Sequence, residues 1–198
     1  MRPMRPLVRY HGGKWKLAPW IISHLPRHRV YVESFGGGAS VLLRKPRSYA
    51  EIYNDLDGEI VNLFRMARDH GAELVRVCEL TPFARDEFAH AYDSSADPLE
   101  QARRTLIRAF MGFSSAAASA AQRTGFRANS NRSGTTPAQD WKNYPAHLHS
   151  VIDRLRGRDG ARGVAPLGVP DAGLESTGPC GRGAGVGLAG TLVTRGPA

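Results

Sequence analysis

The sequence lacks several features that secreted and membrane-bound proteins carry. Its two cysteines, Cys78 and Cys180, are too few and too isolated to indicate a disulfide framework or a zinc site. No run of about 18 apolar residues occurs, and residues 1–14 contain no apolar core of signal-peptide length. These absences predict a soluble cytoplasmic protein without a membrane partner. Its 198 residues are enough for one domain with a sizeable core.

Acidic residues are scarce relative to basic ones. The chain has 27 Lys and Arg against 18 Asp and Glu, so its formal charge at pH 7 is +9. This balance favours a polyanionic partner, most simply a nucleic acid. A general preference for arginine in the encoding lineage would give the same charge without such a partner, so charge alone leaves both interpretations open.

The chain is organised around residues 31–51. An apolar, strand-like run ends in three glycines, 36–38, and residues 39–43 then begin a helical pattern. Glycines let backbone N–H groups approach a ligand closely, and a helix N-terminus adds partial positive charge. Glu51 ends a second apolar stretch, where a carboxylate can accept hydrogen bonds from two ribose hydroxyls. This order favours a cofactor that contains a nucleoside, although a plain tight turn would also explain the glycines.

The middle of the chain reads as mostly helical, which indicates an inserted bundle and not continued strand–helix alternation. Asp55, Asp57 and Glu59 imitate the alternating acids of a calcium loop. They lie within a helical pattern and lack that loop's glycine and distal glutamate, so no metal site is predicted. Apolar spacing predicts strands at 30–35 and 48–52 and helices within 14–25, 55–70, 72–80, 84–92, 97–110 and 147–155.

The composition changes abruptly after Arg156. Residues 157–198 hold 12 of the 22 glycines and contain neither an aromatic residue nor a lysine. Such a segment buries too little apolar area to offset the entropy of ordering it. We therefore expect an irregular C-terminal tail with few contacts to residues 31–51, whose strands would keep an unpaired edge.

Three segments together resemble the Dam-like family of adenine-specific (N6) DNA methyltransferases. Residues 9–14, RYHGGK, are similar to the family's aromatic-Ala-Gly-Gly-Lys segment. Residues 32–40, VESFGGGAS, are similar to its V-E-P-F-x-G-x-G-[ST] cofactor loop, and residues 50–56, AEIYNDL, to its A-D-I-N-x-D-L segment. The resemblance is specific over residues 7–64 and looser to about residue 156.

The resemblance implies S-adenosylmethionine as the cofactor. It would place Tyr10 near the adenine or amino-acid end of the cofactor, Lys14 at its carboxylate and Glu51 at its ribose. Ser34 and Ala39 depart from the family pattern, which has proline and glycine there. The implied cofactor-binding residues, including two that shape the loop beneath the methionine, are Tyr10, Gly13, Lys14, Glu33, Phe35, Gly37 and Glu51.

The fold implied by the resemblance is α/β. Residues 1–56 would form the N-terminal half of a partial Rossmann-like methyltransferase core that uses S-adenosylmethionine. Residues 57–146 would be an inserted helical DNA-recognition domain, and residues 147–156 a helix that returns to the core. Residues 157–198 would be the irregular tail.

The partner implied for the insertion is double-stranded DNA. Residues 125–134 resemble the family's hairpin rich in Arg and Asn, in which arginine can contact guanine or phosphate and Asn can read adenine. Phe126 would wedge beside a displaced base. A polar loop without that role is the alternative for the hairpin, and a solvated helix face is the alternative for Arg108. The predicted DNA contacts are Arg108, Phe126, Arg127, Asn129, Asn131 and Arg132.

The family's catalytic tetrapeptide, Asp-Pro-Pro followed by Tyr or Phe, does not occur in the sequence. In the family its aspartate and the next carbonyl accept hydrogen bonds from the target amino group, and its aromatic ring stacks on the flipped base. We therefore predict no catalytic residue. We expect a methyltransferase by family that is truncated before this motif, carries an out-of-frame tail over 157–198 and is inactive alone.

Two other functions are compatible with parts of the sequence. A catalytically dead DNA-binding remnant would bind DNA with strong salt dependence and transfer no methyl group. A nicotinamide-dependent Rossmann enzyme is disfavoured, because the sequence has no complete G-x-G-x-x-G and no residue suited to hydride transfer.

Overall fold

Helices and three short strands make up the regular structure of the described residues. A computed structural model describes residues 3–114, 118, 123–128 and 135–157, together with the backbone of Thr191–Thr194. In chain order the elements are α1 (Ala18–Ser23), β1 (Val30–Glu33), α2 (Ser40–Arg44), β2 (Ala50–Tyr53), α3 (Gly58–Asp69), α4 (Gly71–Leu80), α5 (Arg85–His90), α6 (Pro98–Met111), α7 (Pro137–Arg156) and β3 (Thr191–Thr194).

Both strands predicted around the glycine turn are present and pair in parallel. The register of β1 and β2 sets Val30 opposite Ala50 and Glu33 opposite Tyr53. Alternate residues, Tyr31 and Glu33 on β1 and then Glu51 and Tyr53 on β2, are buried. Because side chains alternate along a strand, this pattern turns one face of the strand pair towards the core.

The prediction of an irregular tail with few core contacts is wrong for β3. This strand pairs antiparallel with β1, with Val30 opposite Thr194 and Glu33 opposite Thr191. The strand order is therefore β2-β1-β3, and β1 is the central strand of the three. Thr-Leu-Val-Thr is a short run of residues with high strand propensity, which the glycine-rich composition of the whole segment conceals.

Local capping explains where two of the long helices begin. The Oδ1 atom of Asp57 accepts hydrogen bonds from the backbone N of Glu59 at 3.0 Å and of Ile60 at 3.4 Å, so Asp57 caps α3. Asp97 caps α6 in the way its sequence predicts, with Pro98 as the first helical residue. Within the part of the chain that is described, no helix is long and apolar enough to cross a membrane.

Helix α7 begins earlier than its sequence pattern predicts. It continues through Pro145, which interrupts the helical signal, and the predicted boundary between residues 146 and 147 therefore lies inside one helix. Aromatic rings pack the first half of α7 against α6. The ring of Phe110 on α6 lies 4.1 Å from that of Tyr144 and 5.9 Å from that of Trp141, measured between centroids.

One hydrophobic core joins the strands to the helical region. Leu42 and Tyr53 belong to the same buried cluster as Leu106 and Leu148 of the helices that follow. Residues 5–10, which we name the N-terminal strap, cross this core with Leu7 and Val8 buried. The strap is fastened to α7, since the hydroxyl of Tyr144 donates to the carbonyl of Leu7 at 2.5 Å.

The contact between α4 and α7 generates a stability prediction. A Cβ atom added at Gly71 would lie 2.7 Å from Cγ2 of Ile152, whereas one added at Gly58 would meet nothing within 4 Å. Gly71→Ala should lower the free energy of unfolding by about 1–3 kcal/mol, because the branched Ile152 side chain has little freedom to move away. Urea unfolding measures this loss.

Gly58→Ala is the matched control, since each glycine is the first residue of its helix. This control should leave stability unchanged or raise it by up to about 1 kcal/mol. Equal stability of the two variants would contradict the close packing of α4 on α7.

Candidate functional site

The glycine turn between β1 and α2 has a geometry that requires glycine at two positions. Gly37 has a φ of +49°, in the left-handed region. A Cβ atom at Gly36 would lie 2.4 Å from the ring of Tyr53, and one at Gly37 would lie 2.9 Å from the ring of Tyr10. Ala39, which stands where the family usually has glycine, also adopts a positive φ of 48°. Ala39 therefore holds a left-handed backbone conformation that residues with a Cβ atom rarely adopt.

Asp55 is the carboxylate that meets this turn. Its Oδ2 atom accepts a hydrogen bond from the backbone N of Gly37 at 2.7 Å, and its Oδ1 atom accepts one from the backbone N of Asp57 at 3.0 Å. Asp55 follows the end of β2, so it lies at the carboxyl edge of the parallel strands. That edge is where open α/β sheets bind ligands.

Glu51, the predicted ribose acceptor, lies elsewhere. Its side chain points into the core with 1% of its surface exposed. Its carboxylate accepts hydrogen bonds from Lys45 at 2.8 Å and from Arg154 at 2.6 Å and 2.9 Å. Burial alone would raise the pKa of Glu51, but Arg154 and Lys45 lower it below its ordinary value. The physical reason is register, because Glu51 is interior to β2 and Asp55 stands past the strand's end.

The predicted N-terminal residues of the cofactor site lie beside the turn. The Tyr10 ring packs on Gly37, and its hydroxyl donates to Oδ2 of Asp57 at 3.2 Å. Burial and the nearby acids raise the pKa of Tyr10. Gly13 closes a tight turn, its N–H donating to the carbonyl of Tyr10 at 3.1 Å. The ammonium of Lys14, which is exposed, donates to the carbonyl of Gly12 at 2.6 Å.

The two predicted loop-shaping residues differ in burial. Glu33 is buried, and its Oε1 atom accepts hydrogen bonds from the Tyr31 hydroxyl and the Leu42 backbone N, both at 2.9 Å. It thereby ties the end of β1 to α2. Phe35, by contrast, has 56% of its surface exposed. Leu56, on the loop after β2, is also exposed, at 72%. Their loops are adjacent, because Gly36 N donates to the carbonyl of Asn54 at 3.0 Å.

A cleft of about 690 Å³ lies between the glycine turn and the end of α6. Tyr10, Gly13 and Gly38 line one side of it. Phe113 and Arg127 line the other side. Residues predicted for two different ligands, Tyr10 and Gly13 for the cofactor and Arg127 for DNA, thus face one cavity.

Arg108 does not lie on a DNA-accessible surface, which corrects its predicted role. Its side chain is fully buried, and it donates to Glu59 and to the carbonyl of Ala91, the latter at 2.5 Å. Burial lowers the pKa of Arg108 while the charge of Glu59 opposes that shift. Its function in the fold is therefore to join α6 to α3 and to the end of α5.

Phe126 also differs from its prediction as a base wedge. It packs partly buried against the core, with its ring 5.2 Å from that of Phe83 and 5.7 Å from that of Phe88. This packing anchors the short segment that carries Arg127, whose backbone N donates to the carbonyl of Met111 at 2.7 Å. The remaining predicted DNA contacts, Asn129, Asn131 and Arg132, lie outside the described residues.

Arg9 is a cleft residue that the sequence analysis did not single out. It lines the same cavity as Arg127, forms an ion pair with Asp140, and lies with its guanidinium carbon 5.1 Å from the centre of the Phe110 ring. Burial lowers the pKa of Arg9, and the charge of Arg127 adds to that lowering, so the two guanidinium groups are close enough to interact. The sequence signal that could have identified Arg9 is its position as the first residue of the RYHGGK segment.

Glu33 generates a pH prediction. Burial raises its pKa to about 7 from an ordinary value of 4.5, and Oε2 has no hydrogen-bond partner among the described residues. As pH rises from 4.5 to about 7, the unfolded chain releases this proton before the folded chain does. The Glu33 contribution to stability should therefore fall across that window, by about 2–4 kcal/mol.

Glu33→Gln should remove this dependence. Urea unfolding at a series of pH values should show the wild type losing stability relative to the variant as pH rises towards 7. Parallel pH profiles for the two proteins would show that Glu33 titrates normally in the folded state.

Comparison with known proteins gives one match that covers most of the chain. Residues 10–152 match the family described as D12 class N6 adenine-specific DNA methyltransferase. Among curated proteins none matches. The matched residues include Tyr10, the glycine turn, Asp55, most of the residues that line the cleft and most of α7. The chain therefore belongs to the D12 class of N6 adenine-specific DNA methyltransferases.

Proposed function

We propose that this chain binds S-adenosylmethionine at the glycine turn and double-stranded DNA at the cleft beside it. The observation that carries this proposal is the shared cavity, with Tyr10 and Gly13 on one side and Arg127 on the other. In this proposal residues 1–56 are the N-terminal half of a Rossmann-like core, and the DNA-facing side combines residues 57–146 with Arg9 of the strap. Methyl transfer to an adenine amino group is the chemistry that the cofactor supplies when bound.

The residues around the glycine turn fit a nucleoside. Each carboxylate oxygen of Asp55 accepts one backbone hydrogen bond and retains capacity to accept another, so ribose hydroxyls can donate to it. Exposed Phe35 and Leu56 stand on the two adjacent loops, where an adenine ring would cover their apolar surface. Asp55 thus replaces Glu51 as the proposed ribose acceptor.

Three more predicted residues keep their proposed cofactor roles. Tyr10 packs on Gly37 and fixes the wall of the turn, and Gly13 brings the backbone that follows the strap close to Ser40. The ammonium of Lys14 is exposed and can reach a ligand carboxylate by giving up its bond to Gly12. The site offers aromatic, carboxylate and ammonium groups, as an amino-acid nucleoside requires.

The DNA side of the cleft is cationic. Arg9 and Arg127 line it, and both can donate hydrogen bonds to phosphate or to a guanine edge. Phe113, 70% exposed at the rim, offers a ring on which an unpaired base can stack. These groups support DNA as the ligand of this side.

We further propose that these 198 residues do not transfer a methyl group by themselves. The sequence has no Asp-Pro-Pro-aromatic segment, so it contains no aspartate placed to accept hydrogen bonds from the target amine. A catalytically dead DNA-binding remnant is the alternative that the cationic cleft also supports. Cofactor binding separates the two, because only the first proposal requires S-adenosylmethionine to bind at the glycine turn.

Asp55→Asn tests the cofactor site. Removing the charge from the ribose acceptor should weaken S-adenosylmethionine binding by about tenfold to hundredfold, since hydrogen bonds to a charged group are the stronger kind. Isothermal titration calorimetry with S-adenosylmethionine measures this. Asp153→Asn on α7 makes the same charge change at a residue outside the turn and the cleft lining, and should bind like the wild type. Equal affinity for all three proteins would refute the assignment of Asp55.

Arg127→Ala tests the DNA side. If Arg127 contacts a phosphate, the variant should bind duplex DNA more weakly, and the slope of log affinity against log salt should fall in magnitude by about one. Fluorescence anisotropy over a range of salt concentrations gives both values. The control Arg76→Ala removes an exposed arginine on α4 and should leave the slope unchanged. An equal fall of this slope in both variants would contradict a specific role for Arg127 and would indicate only nonspecific attraction of DNA to the positive charge of the protein.

A further inference from the structure

One carboxylate on α7 contacts two arginines of the N-terminal strap. Asp140 lies in the first turn of α7, and its Oδ1 atom accepts from Arg5 at 3.0 Å while its Oδ2 atom accepts from Arg9. Both guanidinium groups also lie over the ring of Phe110, at 5.4 Å for Arg5 and 5.1 Å for Arg9. Arg9 is therefore held from two directions, by a carboxylate and by an aromatic face.

This arrangement stands at the edge of the proposed DNA surface. Arg9 and Arg127 both line the cleft, while Asp140 itself does not. A free arginine loses rotamer entropy when a ligand fixes it. An arginine that is already fixed loses less, so pre-organisation strengthens binding even though the carboxylate cancels part of the charge.

We propose that Asp140 is a positioning residue for DNA, which holds Arg9 at the cleft in the orientation that meets the phosphate backbone. This inference rests on the proposed DNA-binding function and adds a residue that no part of the family match assigns. Asp140 need not touch DNA, since its effect passes through Arg9.

The sign of the effect of Asp140→Asn separates positioning from simple electrostatics. The substitution makes the protein more positive beside two arginines, so long-range attraction alone predicts tighter DNA binding. Positioning predicts weaker binding, by about tenfold, because the charge-assisted bond that holds Arg9 is lost. The probe is a short fluorescent duplex of mixed sequence, titrated with the full chain at low salt. Asp153→Asn, with the same charge change on the same helix, should bind the duplex as tightly as the wild type or slightly more tightly.

Two further measurements exclude a purely structural effect. Tyr10 follows Arg9 on the strap, so a displaced strap would also weaken S-adenosylmethionine binding, whereas positioning leaves that affinity unchanged. In a double-mutant cycle, Asp140→Asn should add no further loss to Arg9→Ala, because the first acts through the second. Full additivity of the two losses would overturn the inference, and so would a parallel loss of cofactor affinity.

The outcomes also distinguish this inference from the function on which it rests. A wild-type chain with no measurable affinity for the duplex at low salt would overturn both. Wild-type binding that Asp140→Asn leaves unchanged or strengthens would overturn the positioning role alone, while Arg127→Ala would still report on the cleft.

Discussion

The carboxylate of Glu51 is buried in the core, where it joins the strand layer to helix α7. Lys45, at the end of α2, donates to it at 2.8 Å, and Arg154 on α7 donates to both of its oxygens. Arg154 also donates to the carbonyl of Leu42 at 2.6 Å, so α2, β2 and α7 meet at one charged point. Charges buried in this way are stable only together, and removing one partner typically costs about 3–5 kcal/mol.

Helix α7 carries this constraint to the candidate site. Its 20 residues span about 30 Å, with Arg154 near one end and Asp140 near the other. At the far end Asp140 holds the N-terminal strap, and the strap leads directly to Tyr10 beside the glycine turn. A rigid helix with an ion pair at each end therefore sets the spacing between the strands, the strap and the cleft. The proposed DNA surface depends on this spacing, although none of the described residues that line the cleft belongs to α7.

Local sequence patterns predicted the elements around the turn but not the partners of their charged residues. The strand–glycine–helix order and the cap at Asp97 could be predicted because each depends on neighbours in sequence. Glu51 and Asp55 could not be told apart, since both are acids near the end of one apolar stretch and only the register of β2 decides which one leaves the strand. The burial of Arg108 could not be predicted, because the carboxylate that pairs with it, Glu59, lies 49 positions earlier in the sequence. β3 was missed because the glycine-rich composition of residues 157–198 concealed its short strand pattern. The start of α7 was missed because Pro145 interrupts the helical pattern.

The central claim is that one cleft joins a nucleoside site to a DNA surface, and chemical-shift mapping of the isotope-labelled chain tests it most directly. Adding S-adenosylhomocysteine should shift the amide resonances of Gly13, Gly37 and Gly38, which surround the turn. Adding a DNA duplex afterwards should shift Gly112 and Arg127 across the cleft while the first set stays in its bound positions. Shifts from either ligand that are confined to residues remote from the cleft, or a duplex that displaces the nucleoside, would contradict the account.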